Sequence, residues 1–425
     1  SMRNAEKALT INADAPETLA LWISANYSRE FDSPAGYVNP LYSDDRRDAE
    51  YFGIAAGPDI TQLVLRRGID TRDTPLVRSA IDALSQTAGP RSLWGQPIDG
   101  RYPLLESLGY QNRRVQFEAA LALGNAKPQE TFSGAERVIP LLASAVRDAS
   151  ARYAVVLTGS DRESYDQYRG ILENQGFTVL PPSDGGLDGL DASIAQTPSV
   201  DLIVTSLGYD DTLLTIETAR TDTKMSVSPV LALMLTDDVE PLRRQYLRDQ
   251  TVAVRRVEIS SANVETSVEQ LLMAASGGPI DESEAAEYAA RSIDVLRDLA
   301  ISNNRVLNVL DASTILIDVL EDVDGLTMLD VAQILSYVDR PAAQAAIMDR
   351  AMDASGTQQL ELLAMVGDSG KRFGNHLDAR QIRALIAFAG DADDELATTA
   401  VGAMGALEIQ NADLLGLIID NGSGN

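Results

Sequence analysis

Cysteine is absent from this chain, and His376 is the only histidine in 425 residues. The first absence excludes disulfides and thiolate metal sites. The second excludes histidine-based metal clusters and leaves a Ser–His–Asp triad one candidate imidazole, with no nucleophile elbow to serve. No apolar run approaches the roughly 18–20 residues that a membrane-spanning helix needs. The most apolar stretch, Val227 to Leu235, has the length of a buried strand. Positive charge is scarce, with 35 Lys and Arg against 63 Asp and Glu, a net charge of −28. Such a surface repels polyanions, so neither nucleic acid nor an anionic membrane is an expected partner. Lack of cysteine suits exported and cytosolic proteins alike, and Ser1-Met2 reads as a cloning scar. A native N-terminal segment is therefore expected to be missing, and the compartment stays open.

The charge is unevenly spread. Residues 1–147 carry 18 acids and 16 bases, residues 148–279 carry 20 and 10, and residues 280–425 carry 25 and 9. A 45% hydrophobic content marks a globular chain, and its length allows two or three domains.

Residues 5–31 have helical spacing through Leu19, Trp22, Ile23 and Tyr27, followed by a polar, turn-rich stretch from Phe31 to Asp48. A repeat then appears. Leu76, Ala80, Ile81, Ala83 and Leu84 match Val115, Ala119, Ala120, Ala122 and Leu123 at an offset of 39 residues. The spacing returns at Leu396, Ala400, Val401, Ala403 and Met404, and each copy follows a polar turn. Apolar residues at these positions form one stripe, and the alanines let a neighbouring helix approach closely. A period near 40 residues is that of two-helix solenoid units, and these segments resemble HEAT repeats. Helical patterns resume from Glu282. They run over Ala285 to Val309, Ser313 to Val319, Met328 to Tyr337, Ala342 to Ala354, Gln358 to Met365, Ala379 to Ala389, Glu395 to Leu407 and Asn411 to Ile418, before a disordered Asn-Gly-Ser-Gly-Asn tail.

Between the helical blocks, short apolar runs at Tyr153–Leu157, Phe177–Leu180, Asp201–Thr205, Pro229–Leu235 and Val252–Ile259 alternate with helical patterns, one from about Arg162 to Gln175. This predicts a five-stranded parallel sheet covered on both faces. The expected organisation is a helical block at 1–147, an α/β domain at 148–279 closed by a Gly-Gly-Pro linker, and a helical block at 280–425. Strand lengths and order, with the run Pro-Val-Leu-Ala-Leu-Met-Leu-Thr, resemble the flavodoxin-like fold of response-regulator receivers. The whole layout resembles uncharacterised bacterial HEAT-repeat proteins, of a planctomycete type, with an embedded degenerate receiver-like domain. That resemblance implies architecture and no activity.

The chemistry of a receiver is missing from the sequence. Phosphoryl transfer there needs an acceptor aspartate after the third strand and acids after the first to hold Mg²⁺. The third strand ends Thr205-Ser206-Leu207. Asp161 is the nearest acid after the first strand and suits a helix cap. Thr236 keeps the usual hydroxyl after the fourth strand, while the fifth offers Arg255, Arg256 and Glu258 but no lysine. Asp210-Asp211 and Asp237-Asp238 follow two strand ends and read as solvated acids and caps. Glu321 to Gly325 approaches a calcium loop, but Leu320 and Val331 stand where ligands are needed. Gly367 to Arg372 approaches a P-loop, but Met365 and Arg372 break it. His376 is expected at the surface, Trp22 in packing and Trp94 as a loop anchor.

These observations predict a non-enzymatic scaffold with a protein partner and no cofactor or metal. Tyr37, Tyr42, Tyr51, Tyr102 and Tyr110 crowd the first block together with Arg46, Arg47, Arg66, Arg67, Arg113 and Arg114. Because Tyr and Arg are enriched at binding hot spots, Arg66, Arg67, Arg113 and Arg114 are the candidate partner-binding residues. The alternative is a sensor, in which Ser160, Ser206, Asp210 and Asp237 line a pocket for a small molecule or cation.

Overall fold

A computed structural model of the chain describes residues 2–34, 47–89, 93, 97–110, 112–197, 200–222, 224–226 and 228–409. The expected helix at Asn411 to Ile418, the tail, Trp94, Tyr37, Tyr42 and Arg46 lie outside them. The chain divides into two compact units, Ser1–Ala126 with Ala149–Ala285, and Lys127–Asp148 with Ala286–Asn425. Residues 1–126 thus group with the α/β segment, and residues 127–148 with the C-terminal helices.

The first unit opens with α1 (Met2–Ile11), α2 (Pro16–Phe31), α3 (Ala49–Ala55), α4 (Pro58–Thr71), α5 (Thr74–Thr87), α6 (Pro103–Ser107) and α7 (Arg113–Asn125). Their starts are written locally. The side chains of Asp48, Asp73 and Asn112 accept amides of the first turns of α3, α5 and α7, and Pro58 and Pro103 open α4 and α6. Helices pack on near neighbours, α4 on α5, α2 on α4, α3 on α5 and α5 on α7. The repeat positions face inward: Ala80, Ala83, Leu84, Val115, Ala119, Ala120 and Leu123 have no measurable exposure. Small residues set the spacing. A Cβ on Gly68 would stand 2.9 Å from Val77 Cγ2, so α4 and α5 approach where a side chain is missing. Most of α7 is buried, Phe117 completely, and burying such a ring contributes about 1.5–3 kcal/mol.

After α8 (Ala135–Asp148), which belongs to the second unit, the α/β segment begins. It comprises β1 (Arg152–Leu157), α9 (Arg162–Asn174), β2 (Phe177–Val179), α10 (Asp191–Gln196), β3 (Leu202–Thr205), α11 (Tyr209–Thr221), β4 (Val230–Met234), α12 (Thr236–Gln245), β5 (Val252–Arg256) and α13 (Ser261–Ser276). All four pairings are parallel, in the order β2-β1-β3-β4-β5. This is a doubly wound order, with its switch point between β1 and β3. Apolar side chains on alternate sides of the strands fill two cores. Val156, Val204, Leu231 and Leu233 face Leu172 of α9 and Val268 of α13. On the other side, Val155, Ile203 and Val230 meet Ile194 of α10 and Ile216 of α11. β2 and β5 are the edges.

The second unit holds α8, α14 (Glu282–Ile301) from Ala286 onward, α15 (Ser313–Asp322), α16 (Gly325–Leu335), α17 (Pro341–Asp353), α18 (Gly356–Phe373), α19 (Ala379–Ala389) and α20 (Asp394–Ala406), while the first turn of α14 belongs to the first unit. From α15 onward each helix packs on the next but one, α15 on α17, α16 on α18, α17 on α19 and α18 on α20. The sequence pattern ended the helix at Met365, but α18 runs on to Phe373 through Gly367 and Gly370. Both glycines lie against α20, where a Cβ on Gly370 would stand 2.8 Å from Leu407 Cδ2. The stretch resembling a P-loop is therefore helix interior. The expected helix from Ala285 to Val309 stops at Ile301, and Asn304 then binds the Pro128 carbonyl at 3.0 Å. In the third repeat copy Ala400 and Ala403 are buried, whereas Val401 is 55% exposed.

Candidate functional site

Three places in the first unit hold polar groups that the fold brings together. The first is the carboxyl end of the strands, where open sheets of this kind bind ligands. The turn after β1 passes through Gly159 at φ 59, a conformation that glycine adopts without strain. Asp161 then caps α9, accepting from Ser164 N at 3.1 Å and Ser164 Oγ at 2.7 Å. These bonds hold its carboxyl below the ordinary value. Ser206 follows β3, and its amide donates to the Leu157 carbonyl at 2.9 Å. Asp210 and Asp211 stand in the first turn of α11, and Asp237 and Asp238 in that of α12, where negative charge complements the helix dipole. Among the described residues no group of three or more Asp, Glu or His side chains could hold a metal ion.

The second place is the opposite end of the sheet. A cavity of about 50 Å³ is lined by Arg113, Arg114, Arg152, Asp201, Ser228 and Pro229, among others. Asp201 precedes β3 and grips Tyr153 twice: its Oδ2 accepts the Tyr153 amide at 2.8 Å, and its own amide donates to the Tyr153 carbonyl at 2.8 Å. Burial pushes its carboxyl up to about 6, against the pull of Arg113, the Tyr153 amide, Arg152 and Arg114. Arg113 lies over the rings of Phe117 at 5.5 Å and Tyr153 at 5.9 Å, and its Nη1 donates to the Ala151 carbonyl. Arg114 donates to both carboxylate oxygens of Glu284, at 2.6 and 2.5 Å, and to the carbonyls of Gly278 (2.7 Å) and Pro279 (2.9 Å). Arg152 stacks on Phe177 at 4.8 Å and donates to the Gln175 carbonyl, and burial lowers its pKa. The cluster pins the start of α7, the starts of β1 and β3 and the Gly278-Pro279 turn to one another.

The four candidate partner-binding arginines differ in exposure. Arg113 and Arg114 are each 5% exposed: Arg114 is held by the Glu284 carboxylate and the Gly278 and Pro279 carbonyls, and Arg113 by the Ala151 carbonyl and two aromatic rings. Arg66 is half-buried in ion pairs with Glu17 (3.0 Å) and Asp99 (2.9 Å), and only Arg67 is exposed. Tyr110 is also buried, bonded to Thr74 Oγ1 at 3.1 Å. His376, expected at the surface, is half-buried, with its amide donating to Gln344 Oε1 at 2.7 Å. Trp22 does pack, edge-on to Phe52 with ring centroids 5.0 Å apart.

The third place is a groove of about 410 Å³ beside β5, lined from α12 and the turn after it by Arg243, Tyr246 and Leu247, and from α13 by Ser267, Gln270 and Ala274. Exposed Arg243 and half-buried Arg255 line it, and Arg244, Arg248 and Arg256, close to them in sequence, are exposed. The sequence reading noted Arg255 and Arg256 only as what the fifth strand carries where a receiver has its lysine. The available signal was their density, five arginines in residues 243–256 of a strongly acidic chain.

Comparisons with known proteins add little. No family model and no curated protein matches the chain. A crystal structure of an engineered protein from the Northeast Structural Genomics Consortium aligns over 96% of this chain and 99% of its own at 15% identity. Its TM-score of 0.19 carries no argument about fold.

Proposed function

We propose that this chain is a non-enzymatic protein–protein interaction scaffold. HEAT-like helical pairs flank a degenerate receiver-like α/β domain of flavodoxin-like order, and the helical faces present partner surfaces. One observation carries the loss of chemistry. Ser206 occupies the position after β3 where a receiver needs its acceptor carboxylate, while Asp161, the nearest acid, is engaged as the cap of α9. The packing of α15 to α20 on next-but-one neighbours supports the repeat reading, since each pair buries its apolar face only through the adjacent pair.

Incubation with acetyl phosphate and Mg²⁺, read by intact mass, is expected to leave the protein unmodified. A stable adduct within residues 155–240 refutes the degenerate reading. Cross-linking of the full chain in cells of its source, mapped by mass spectrometry, is expected to join one reproducible protein to the helical segments 2–125 or 282–406. Catalytic turnover of a small substrate by the purified chain refutes the assignment.

A further inference from the structure

β5 is an edge of the sheet, with no strand paired on its outer side among the described residues. Its register sets Val252 beside Val230 and Arg256 beside Met234. Bonds at its two ends run from Val230 N to the Thr251 carbonyl (2.8 Å) and from Val257 N to the Met234 carbonyl (2.9 Å). Backbone groups alternate along a parallel pair, so those of Val254 and Arg256 point away from β4. The Val254 carbonyl accepts from Arg243 Nη2 at 3.4 Å and from Arg255 Nη1 at 3.1 Å, and with the residue 4% exposed these two guanidinium groups cover the edge there. The groove between α12 and α13 opens along this edge.

Charge sets this edge apart from the rest of the molecule. Residues 243–256 hold five arginines and one acid, in a chain of net charge −28. That acid, Asp249, is engaged by Thr251 and lies 3.8 Å from Arg220. Arg243 pairs with Glu240 at 2.5 Å. Among the described residues, Arg244, Arg248, Arg255 and Arg256 have no acidic partner. Leu247, beside them, is 77% exposed.

We infer that the outer edge of β5 accepts an extended acidic segment of a partner protein as a sixth strand, with Arg243, Arg255 and Arg256 engaging its carboxylates. This rests on the reading of the chain as an interaction protein, and it names one surface and its partner chemistry. Main-chain bonds to the edge supply affinity, and alternate side chains supply selectivity. The incoming amide takes the Val254 carbonyl, which releases Arg243 and Arg255 to pair with carboxylates. Arg255 and Arg256 project to opposite faces of the sheet, so carboxylates on either side of the added strand meet a guanidinium. A second copy of the chain is disfavoured at this edge, because two β5 edges would bring like charges together.

The test uses the full chain and a fluorescein-labelled ten-residue peptide of alternating Val and Glu, read by anisotropy. Saturable binding that weakens with added salt is expected, while the Val-Lys peptide does not bind. The Arg255→Glu/Arg256→Glu variant is expected to lose affinity on the order of tenfold or more. Its melting temperature reports whether it folds. A Val-Glu peptide N-methylated at alternate residues asks the backbone question of the unaltered protein and is expected not to bind. Equal binding of the Val-Lys peptide, undiminished binding of the methylated one, or tighter binding of a ten-residue oligothymidylate overturns the proposal. A cross-linked partner captured equally well by the Arg255→Glu/Arg256→Glu variant overturns the β5 assignment alone and leaves the scaffold reading standing.

Discussion

Replacing Arg114 with alanine removes a guanidinium whose side chain is 6% exposed. It donates to both Glu284 oxygens and to the carbonyls of Gly278 and Pro279. The alanine variant takes this donor from two carbonyls and leaves the 26%-exposed Glu284 carboxylate only the longer pairing with Arg78, at 3.9 Å. A donor or acceptor left unsatisfied on burial costs about 1–3 kcal/mol, and breaking a buried ion pair about 3–5 kcal/mol. The expected loss is therefore about 3–5 kcal/mol, not the sum of the separate bonds, because they share one side chain. For a unit of this size that lowers the melting temperature by roughly 10 °C. Scanning calorimetry should show the shift, while Arg67→Ala, at an exposed position, should change stability by less than about 0.5 kcal/mol. An Arg114→Ala protein that melts within about 2 °C of the parent refutes the account of the cluster as a structural pin.

Other outcomes follow from the same geometry. Burial raises the Asp201 carboxyl from 3.8 to about 6, so the folded chain holds that proton more tightly than the unfolded one. Stability from this group is full below the ordinary carboxylate value and declines as pH rises through about 6, by about 3 kcal/mol at most. Asp201→Asn should remove that decline, so a difference in urea unfolding between parent and variant that stays flat with pH is the refuting result. Gly370→Ala places a Cβ 2.8 Å from Leu407 Cδ2. It should destabilise the second unit by about 1–3 kcal/mol, whereas Gly402→Ala, which meets nothing within 4 Å, should be neutral or stabilising in the same calorimetric scan. Asp378 closes a capping box at the start of α19, and its amide bonds hold the carboxyl below the ordinary value. The cap's contribution should be present above the ordinary carboxylate value and fade as pH falls through the lowered one, seen as faster amide exchange in the first turn of α19.

What the sequence by itself determined is what short-range periodicity carries. Apolar runs bounded by turns located the five strands, and their alternation with helices implied a parallel sheet. The Leu76 and Val115 stripes marked faces that are buried, since a helix period assigns burial without knowledge of the neighbour. Tertiary structure alone decided the fate of the arginines. Arg114 and Glu284 are 170 residues apart, and nothing local separates Arg114, which is buried, from Arg256, which is exposed. It also decided the length of α18, whose glycines read as a loop in sequence but provide the close approach to α20. The physical reason is common to both. A charge or a glycine takes its meaning from the group opposite, and only the fold supplies that group.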